Sequence, residues 1–306
     1  MAALNYATEY ARELAQAYPY TLYFGKLWGA TKPEVKFLDN KTIQLPSLKT
    51  TGRVSGDRDT IGTFARNFDN EWESKTLKNH RTWGTLVHPR DIDETNKVAS
   101  IANITKVFNE EQKFPELDAY AVSTLYSLKN ALEAITALAK GTVTIENVLT
   151  YFDTLMDKMD EARVPAAGRI LYVDTYTKTL IDTAKESARF LNATDTATKR
   201  TLSRIDEVEI VSVPTAMMKS AYTFFAGTEE SGQKDGFAAA TDAKNIKMLL
   251  VHLSAVIPAI NYEFAQLESP SALSQGKYVY FEESFEDMFI YNKKHAGIQF
   301  IVENNA

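Results

Sequence analysis

The chain has 306 residues, a formal net charge of −6 and no cysteine, which gives room for one large or two medium domains with a sizeable core and rules out disulfides and thiolate metal centres. Its hydrophobic fraction of 44% and charged fraction of 24% are those of a soluble globular protein, and the lack of cysteine is compatible with a reducing compartment. A net negative chain carries no sequence-wide basic field for gripping nucleic-acid phosphates.

At the start, MAALNYATEYARELAQ places Glu9, Arg12 and Glu13 where a secretory signal would need an apolar core. Residues 3–18 suit a short amphipathic helix with Ala7, Ala11, Leu14 and Tyr18 on one side. From Tyr20 to Pro33 the chain is aromatic and interrupted by glycine, the pattern of an irregular arm. Lys41 to Arg81 is then a long polar segment, with ten apolar residues in 41, about 24%, against 44% for the whole chain. It suits two strands around a mobile tip containing Gly52, Gly56 and Gly62. The returning strand is expected to run on through Trp83, Thr85 and Val87 to the His88-Pro89 break, and Pro46 fits an edge strand. An isolated two-stranded ribbon cannot bury a core of its own. Limbs of about 18 extended residues would reach about 60 Å, whereas a compact domain of this length has a radius of gyration of about 20 Å. The ribbon is therefore expected to leave its own domain and rest on another molecule.

A helical region is expected from Val98 to Ala139, with Ile101, Ile104 and Phe108 on one face, a kink or restart at Pro115, and a stop at Gly141. Ile145, Val148, Leu149, Phe152, Leu155, Met156 and Met159 mark a second helix with Thr144 as its N-cap and Pro165 beyond its end. A strand (169–173), a helix (175–191), a strand (208–213) and a Gly- and charge-rich loop (227–236) follow. The apolar run from Met248 to Ile260 contains His252 and Pro258 and is too short to span a bilayer. It places a buried strand at 246–257. The aromatic tail, 278–302, turns at 292–297 between two strands. This alternation implies an α/β or α+β chain with a mixed sheet.

Nothing here spells out catalysis. His80, His88, His252 and His295 lack the i, i+4 spacing of a helical zinc site, and no Gly-Lys-Ser/Thr follows the loop glycines. Asp57/Asp59, Asp91/Asp93 and Glu282/Glu283 are adjacent acids of the kind that solvated surfaces carry, and there is no Gly-x-Ser-x-Gly elbow. No catalytic residue, metal ligand or cofactor is assigned. One contrast bears on partners. Residues 41–90 hold nine Lys/Arg and five Asp/Glu, giving +4, while 278–291 hold no Lys/Arg and four acids, giving −4. Either these are ordinary solvated faces, or a basic arm (Arg53, Asp57, Arg58, Asp59, Arg66) docks on a neighbour's acidic strands (Glu282, Glu283, Glu286, Asp287), a pairing that would orient more than it binds.

The segments NHRTWGTLVHPRDID, NKVASIANITKVFNEEQKFPELDAY, VPAAGRILYVDTYTKTLI, EVEIVSVP and KMLLVHLSAVIPAI, taken in order, resemble the major capsid proteins of tailed bacteriophages, particularly siphophages and prophages of Gram-positive bacteria. The resemblance covers nearly the whole chain. It implies an α+β, Hong Kong-97-like capsid fold: an N-terminal arm (1–40), an extended β-hairpin loop lying over a neighbouring subunit (41–92), a long spine helix in a peripheral domain (93–137), an axial mixed α/β domain (138–274), and C-terminal strands completing the peripheral domain (275–306). It also implies self-assembly into hexamers and pentamers, a shell enclosing double-stranded DNA without sequence-specific binding, contact with a portal and with decoration or head-completion proteins, no membrane, and assembly in the bacterial cytoplasm. The lack of a long charged N-terminal extension implies a separate scaffolding protein, and no cross-link residues are assigned. An encapsulin-type nanocompartment shell and, further off, a soluble enzyme or ligand-binding protein are the alternatives.

Overall fold

The computed structural model describes residues 20–30, 36–37, 41–53, 55, 66–94, 100–190, 204–205, 208–228 and 235–305. In chain order they form α1 (Gly25–Trp28), β1 (Lys36–Phe37), β2 (Thr42–Thr50), β3 (Phe68–Thr76), β4 (His80–Val87), α2 (Pro89–Glu94), α3 (Ile101–Phe108), α4 (Phe114–Leu132), α5 (Val148–Glu161), β5 (Arg169–Asp174), α6 (Thr175–Phe190), β6 (Arg204–Ile205), β7 (Val208–Val213), β8 (Tyr222–Phe224), β9 (Phe237–Ala239), β10 (Asn245–His252), β11 (Val256–Glu268), β12 (Tyr278–Ile290) and β13 (Ile298–Glu303). Helices and sheets are thus mixed in an α+β arrangement.

The main core is a five-stranded sheet in the order β13-β10-β5-β7-β6, with β5 and β7 parallel and the other pairs antiparallel. All six residues of β5 are buried, because both faces of the sheet are covered and side chains alternate between them. Leu171 and Val173 face Val148, Phe152, Leu155 and Met159 of α5 and Leu180 and Ile181 of α6. Ile170 and Tyr172 face Val122 and Leu125 of α4. Phe24 and Leu27 join this second layer and are fully buried, with the Phe24 and Tyr172 ring centroids 4.6 Å apart. Residues 20–30 therefore belong to the core instead of forming an irregular arm: their aromatic content is packing. The helix expected over 3–18 lies outside the described residues.

The second sheet has the order β11-β12-β4, and β2 and β3 form a hairpin with β1 on its far side. The expected returning strand is two strands. Leu77, almost fully buried, turns the chain inward after β3, and β4 then joins β12. Among the described residues Pro46 lies beyond the two residues of β2 that β1 covers, on a side of β2 where no ladder bond asks for its missing N–H.

The spine of the second sheet is α3, a π-helical turn over Asn109–Lys113, and α4. Ser100 caps α3 by accepting a hydrogen bond from the Asn103 amide at 3.4 Å. The π turn falls just ahead of Pro115, whose missing N–H disturbs the helical ladder there. The helix stops at Leu132, earlier than Ala139, because Asn130 Oδ1 takes the Ile135 amide at 2.9 Å and the following residues run extended, Leu138 pairing with the end of β13. Likewise α5 starts one turn late. Asn147, not Thr144, sits at its N-cap, its amide oxygen accepting from Thr144 N and its NH2 donating to Thr142 O. Ile145 is left exposed.

The expected strand over 246–257 is broken by a short 3-10 turn, Leu253–Ala255. His252 Nδ1 caps that turn, accepting from Ser254 N, and beyond it the chain enters the other sheet as β11. The tail does turn at Asn292–Gly297, but its strands part company, β12 lying between β11 and β4 and β13 beside β10. Gly297 suits this crossing, since a Cβ there would stand 3.0 Å from the Cβ of Ala255 and press the two segments apart.

Candidate assembly interface

In an antiparallel ladder, residues directly opposite share a face. In the β2–β3 hairpin Pro46 opposes Trp72, Leu48 opposes Asn70 and Thr50 opposes Phe68, so all the even-numbered residues share one side. That side carries Pro46, Leu48, Phe68 and Trp72 in the open, with Leu48 62%, Phe68 55% and Trp72 50% exposed. The odd side behaves as an anchor. Ile43 and Leu45 are buried with Ile257, Ala259 and Phe289, Lys75 pairs with Glu73 at 3.0 Å and reaches Asn292 Oδ1 at 2.8 Å, and Lys49 pairs with Glu71 at 2.7 Å. The hairpin thus turns its charged, rooted face to its own body and its apolar face away. The period-two spacing of Pro46/Leu48 and Phe68/Trp72 signals this in the sequence, but only once the pairing register is known.

A second apolar surface lies on the β11-β12-β4 sheet. Residues 80, 82, 84 and 86 of β4 oppose 285, 283, 281 and 279 of β12, and this side faces outward, with Leu86, Phe281 and Phe264 exposed. The opposite side is packed on the spine, where the Trp83 and Phe108 rings stack 3.9 Å apart.

The four acids do not share one exposed face. Glu282 points to the spine side and pairs with Lys113 at 3.1 Å, while accepting the Tyr280 hydroxyl. Glu286 is buried on that side, and its desolvation raises its carboxyl above the usual carboxylate range. Asp287 is 3% exposed and accepts hydrogen bonds from Lys78 N, Tyr120 Oη and Met288 N, each at 2.8 Å. Only Glu283 faces outward, and it pairs with His80 at 2.7 Å; the His80 ring stacks on Phe285. On the arm, Arg53 is exposed, and Arg66 lies with its guanidinium 5.0 Å from the Phe68 ring centroid. Asp57, Arg58 and Asp59 lie outside the described residues.

Sequence reasoning missed Arg81. Its side chain meets Glu116 of α4 with both Nε (2.6 Å) and Nη2 (3.2 Å), and donates to the carbonyls of Phe225 (2.8 Å) and Gly236 (3.4 Å) at the two ends of the β8–β9 connection. One planar fork therefore ties a strand, the spine helix and a hairpin root. Replacing Arg81 with lysine keeps the charge but not the fork; a loss of about 1–3 kcal/mol in urea unfolding is expected, and an unchanged midpoint would show the tie to be idle.

The histidines are structural in their contacts. His252 lies between Ser254 Oγ and the Ala167 carbonyl, and His295 contacts the Asn292 carbonyl. Among the described residues no group of three or more His, Asp or Glu side chains could hold a metal ion, and no helix is long and apolar enough to cross a membrane.

A rooted hairpin, a helix-backed sheet and a double-faced core sheet together make up the fold, and solved structures titled as phages and phage capsids share it along almost the whole chain. The mature capsid of bacteriophage PhiM1 is similar with a TM-score of 0.67 and 10% identity, over 99% of this chain and 93% of that one. The capsid of cyanophage P-SCSP1u gives 0.64 and 12%, over 98% and 93%, and Mycobacterium phage Che8 gives 0.60 and 11%, over 99% and 98%. No protein-family model and no curated protein sequence matches the chain. Phages named for mycobacteria and for cyanobacteria both match, so the expected Gram-positive host is not singled out.

Proposed function

We propose that this protein is a phage major capsid protein, a structural subunit that self-assembles into the icosahedral or prolate head around double-stranded DNA. The observation that carries the reading is the fold likeness over 97–99% of the chain to structures titled as phages and their capsids. The encapsulin alternative draws no support from those structures. On this reading the spine (α3 to α4) and the β11-β12-β4 sheet are the peripheral domain. The five-stranded sheet, with α5, α6 and the β8–β9 hairpin, is the axial domain around which hexamers and pentamers form. β13 belongs with the axial sheet by its pairing to β10. The protein is a virion component assembled in the host cytoplasm, with a scaffolding protein, a portal and decoration proteins as its other partners.

The β2–β3 hairpin is the extended loop. Its free apolar side (Pro46, Leu48, Phe68, Trp72) lies on the outward apolar side of a neighbour's β11-β12-β4 sheet (Leu86, Phe281, Phe264), with Arg53 and Arg66 at the hairpin's outer end orienting the approach. Apolar matching supports this docking better than the charge pairing expected from the sequence, because the acids are engaged within their own chain. Many such modest contacts close a shell cooperatively, since each neighbour makes the next contact effectively intramolecular.

Sedimentation velocity and negative-stain microscopy of the purified protein test the reading. Shells, tubes, rings or sheets are expected. A single 34.3 kDa species at every concentration and salt, with and without the head proteins of the same genome, would overturn it.

A further inference from the structure

Asp118 of α4 is 0% exposed, and among the described residues the donors it engages come from one distant stretch of chain. Its Oδ2 accepts the Tyr20 hydroxyl and the Tyr23 amide, both at 2.8 Å, and its Oδ1 accepts the Phe24 amide at 3.1 Å. Phe24 is the N-cap of α1 and makes no side-chain cap of its own, so a carboxylate 94 residues further along the chain caps that turn instead. The groups facing it from the surrounding elements are almost all neutral or acidic. Tyr20 and Tyr23 come from the docked segment, Tyr172 from β5 with a buried hydroxyl that has no hydrogen-bond partner among the described residues, and Tyr222 from β8 with its hydroxyl on the Ala216 carbonyl. Glu209 of β7 acts on Tyr172 and is itself paired with Lys26 at 2.5 Å. Among the described residues no lysine or arginine forms an ion pair with Asp118.

We propose that Asp118 is an acid-set latch, holding residues 20–30 on the spine helix more firmly when its carboxyl carries a proton than when it is ionised. A buried carboxylate with donors but no cation is poorly compensated. Protonation removes that cost, and the acid can still accept the two amides while its O–H turns to the Tyr20 oxygen. Undocking hydrates the group and lets it ionise freely. Burial accordingly raises the carboxyl from 3.8 to about 6, against the pull of its three hydrogen bonds. The docked form thus holds the proton more tightly than the undocked form. The extra docking is complete below 3.8 and is lost as the pH rises through about 6. The difference of 6 − 3.8 = 2.2 corresponds to a docking equilibrium about 150-fold weaker at neutral than at strongly acid pH. The latch is independent of shell assembly and is read in the isolated subunit.

Hydrogen–deuterium exchange of the 20–30 peptide, corrected for the intrinsic pH dependence of exchange, tests it. Protection is expected to fall at least tenfold between pH 5 and pH 7.5 in the unaltered protein and to be flat in Asp118→Asn. Tyr20→Phe removes the donor that most favours the ionised form, so its transition is expected to move to higher pH. Carboxyl-carbon NMR of Asp118 gives the midpoint directly, without any variant. A midpoint below 4.5, or a pH dependence unaltered in both variants, would overturn the latch.

Discussion

Leu48→Glu and Trp72→Glu together are expected to cut the yield of assembled particles more than tenfold while leaving the subunit folded. Both residues stand on the free side of the β2–β3 hairpin and have no core to lose, so each change should move the unfolding free energy by no more than about 0.5 kcal/mol. In a closed shell every subunit both gives and receives such a contact, and each lost leucine or tryptophan contact removes about 2 kcal/mol or more from a docking site. A matching change on the other side of the same hairpin is the control. Lys49→Ala with Glu71→Ala removes an exposed pair and should leave assembly nearly intact. Light scattering with thermal unfolding separates the outcomes. Normal particle yield from the glutamate variant would show that the apolar side is not the one that meets a neighbour.

Asp287→Ala is expected to destabilise the isolated subunit by about 3–5 kcal/mol, a large share of the roughly 5–15 kcal/mol that holds a domain together. The carboxylate joins the turn between the hairpin and β4, through Lys78 N, to the spine helix, through Tyr120 Oη, and also takes Met288 N. Its removal leaves three donors without their acceptor, Met288 N in a buried setting and Lys78 N and Tyr120 Oη in part-buried ones. The Tyr120 hydroxyl is pushed well above the ordinary phenol range by burial, and next by the Asp287 charge that holds its proton in place. Asp287→Asn keeps one accepting oxygen and should cost about half as much, whereas Glu283→Ala, at the outward neighbour pair, should cost little. Urea titrations of the three variants decide this, and a loss under about 1 kcal/mol for Asp287→Ala would mean the donors find other partners.

The contrast between those two acids shows where the sequence stops informing. Residues 282–287 carry four negative charges in six positions, and nothing in their order says which lie under a helix. The pleat sets Glu282 and Glu286 on the spine side and Glu283 and Asp287 on the other, and the chain entering β4 at Lys78, with Tyr120 of the spine, then covers Asp287; both depend on pairing with β4 and β11, more than 150 residues apart in sequence. The strand over 208–213 and the helix face of Phe152, Leu155 and Met159 were legible because period and burial agree locally. The breaks after β3 and after β10 were not, since Leu77 is a lone apolar residue in a polar stretch, Leu253 continues an apolar run, and only their tertiary partners turn the chain. The two-stranded ribbon could be read from its composition. Its exposed apolar side could not, because parity without register leaves both sides equally eligible.

The joint between the two sheets has a mechanical corollary. Three residues, Leu253–Ala255, separate the last residue of β10 from the first of β11, and Gly297 is wedged against them. The hairpin roots on Ile257 and Ala259, at the near end of β11. A tug on the hairpin therefore enters the buried sheet through two short backbone crossings, Leu253–Ala255 and Asn292–Gly297, with little slack in either. Stiffness under tension is thus set by the connection between the sheets as much as by the packing within either one.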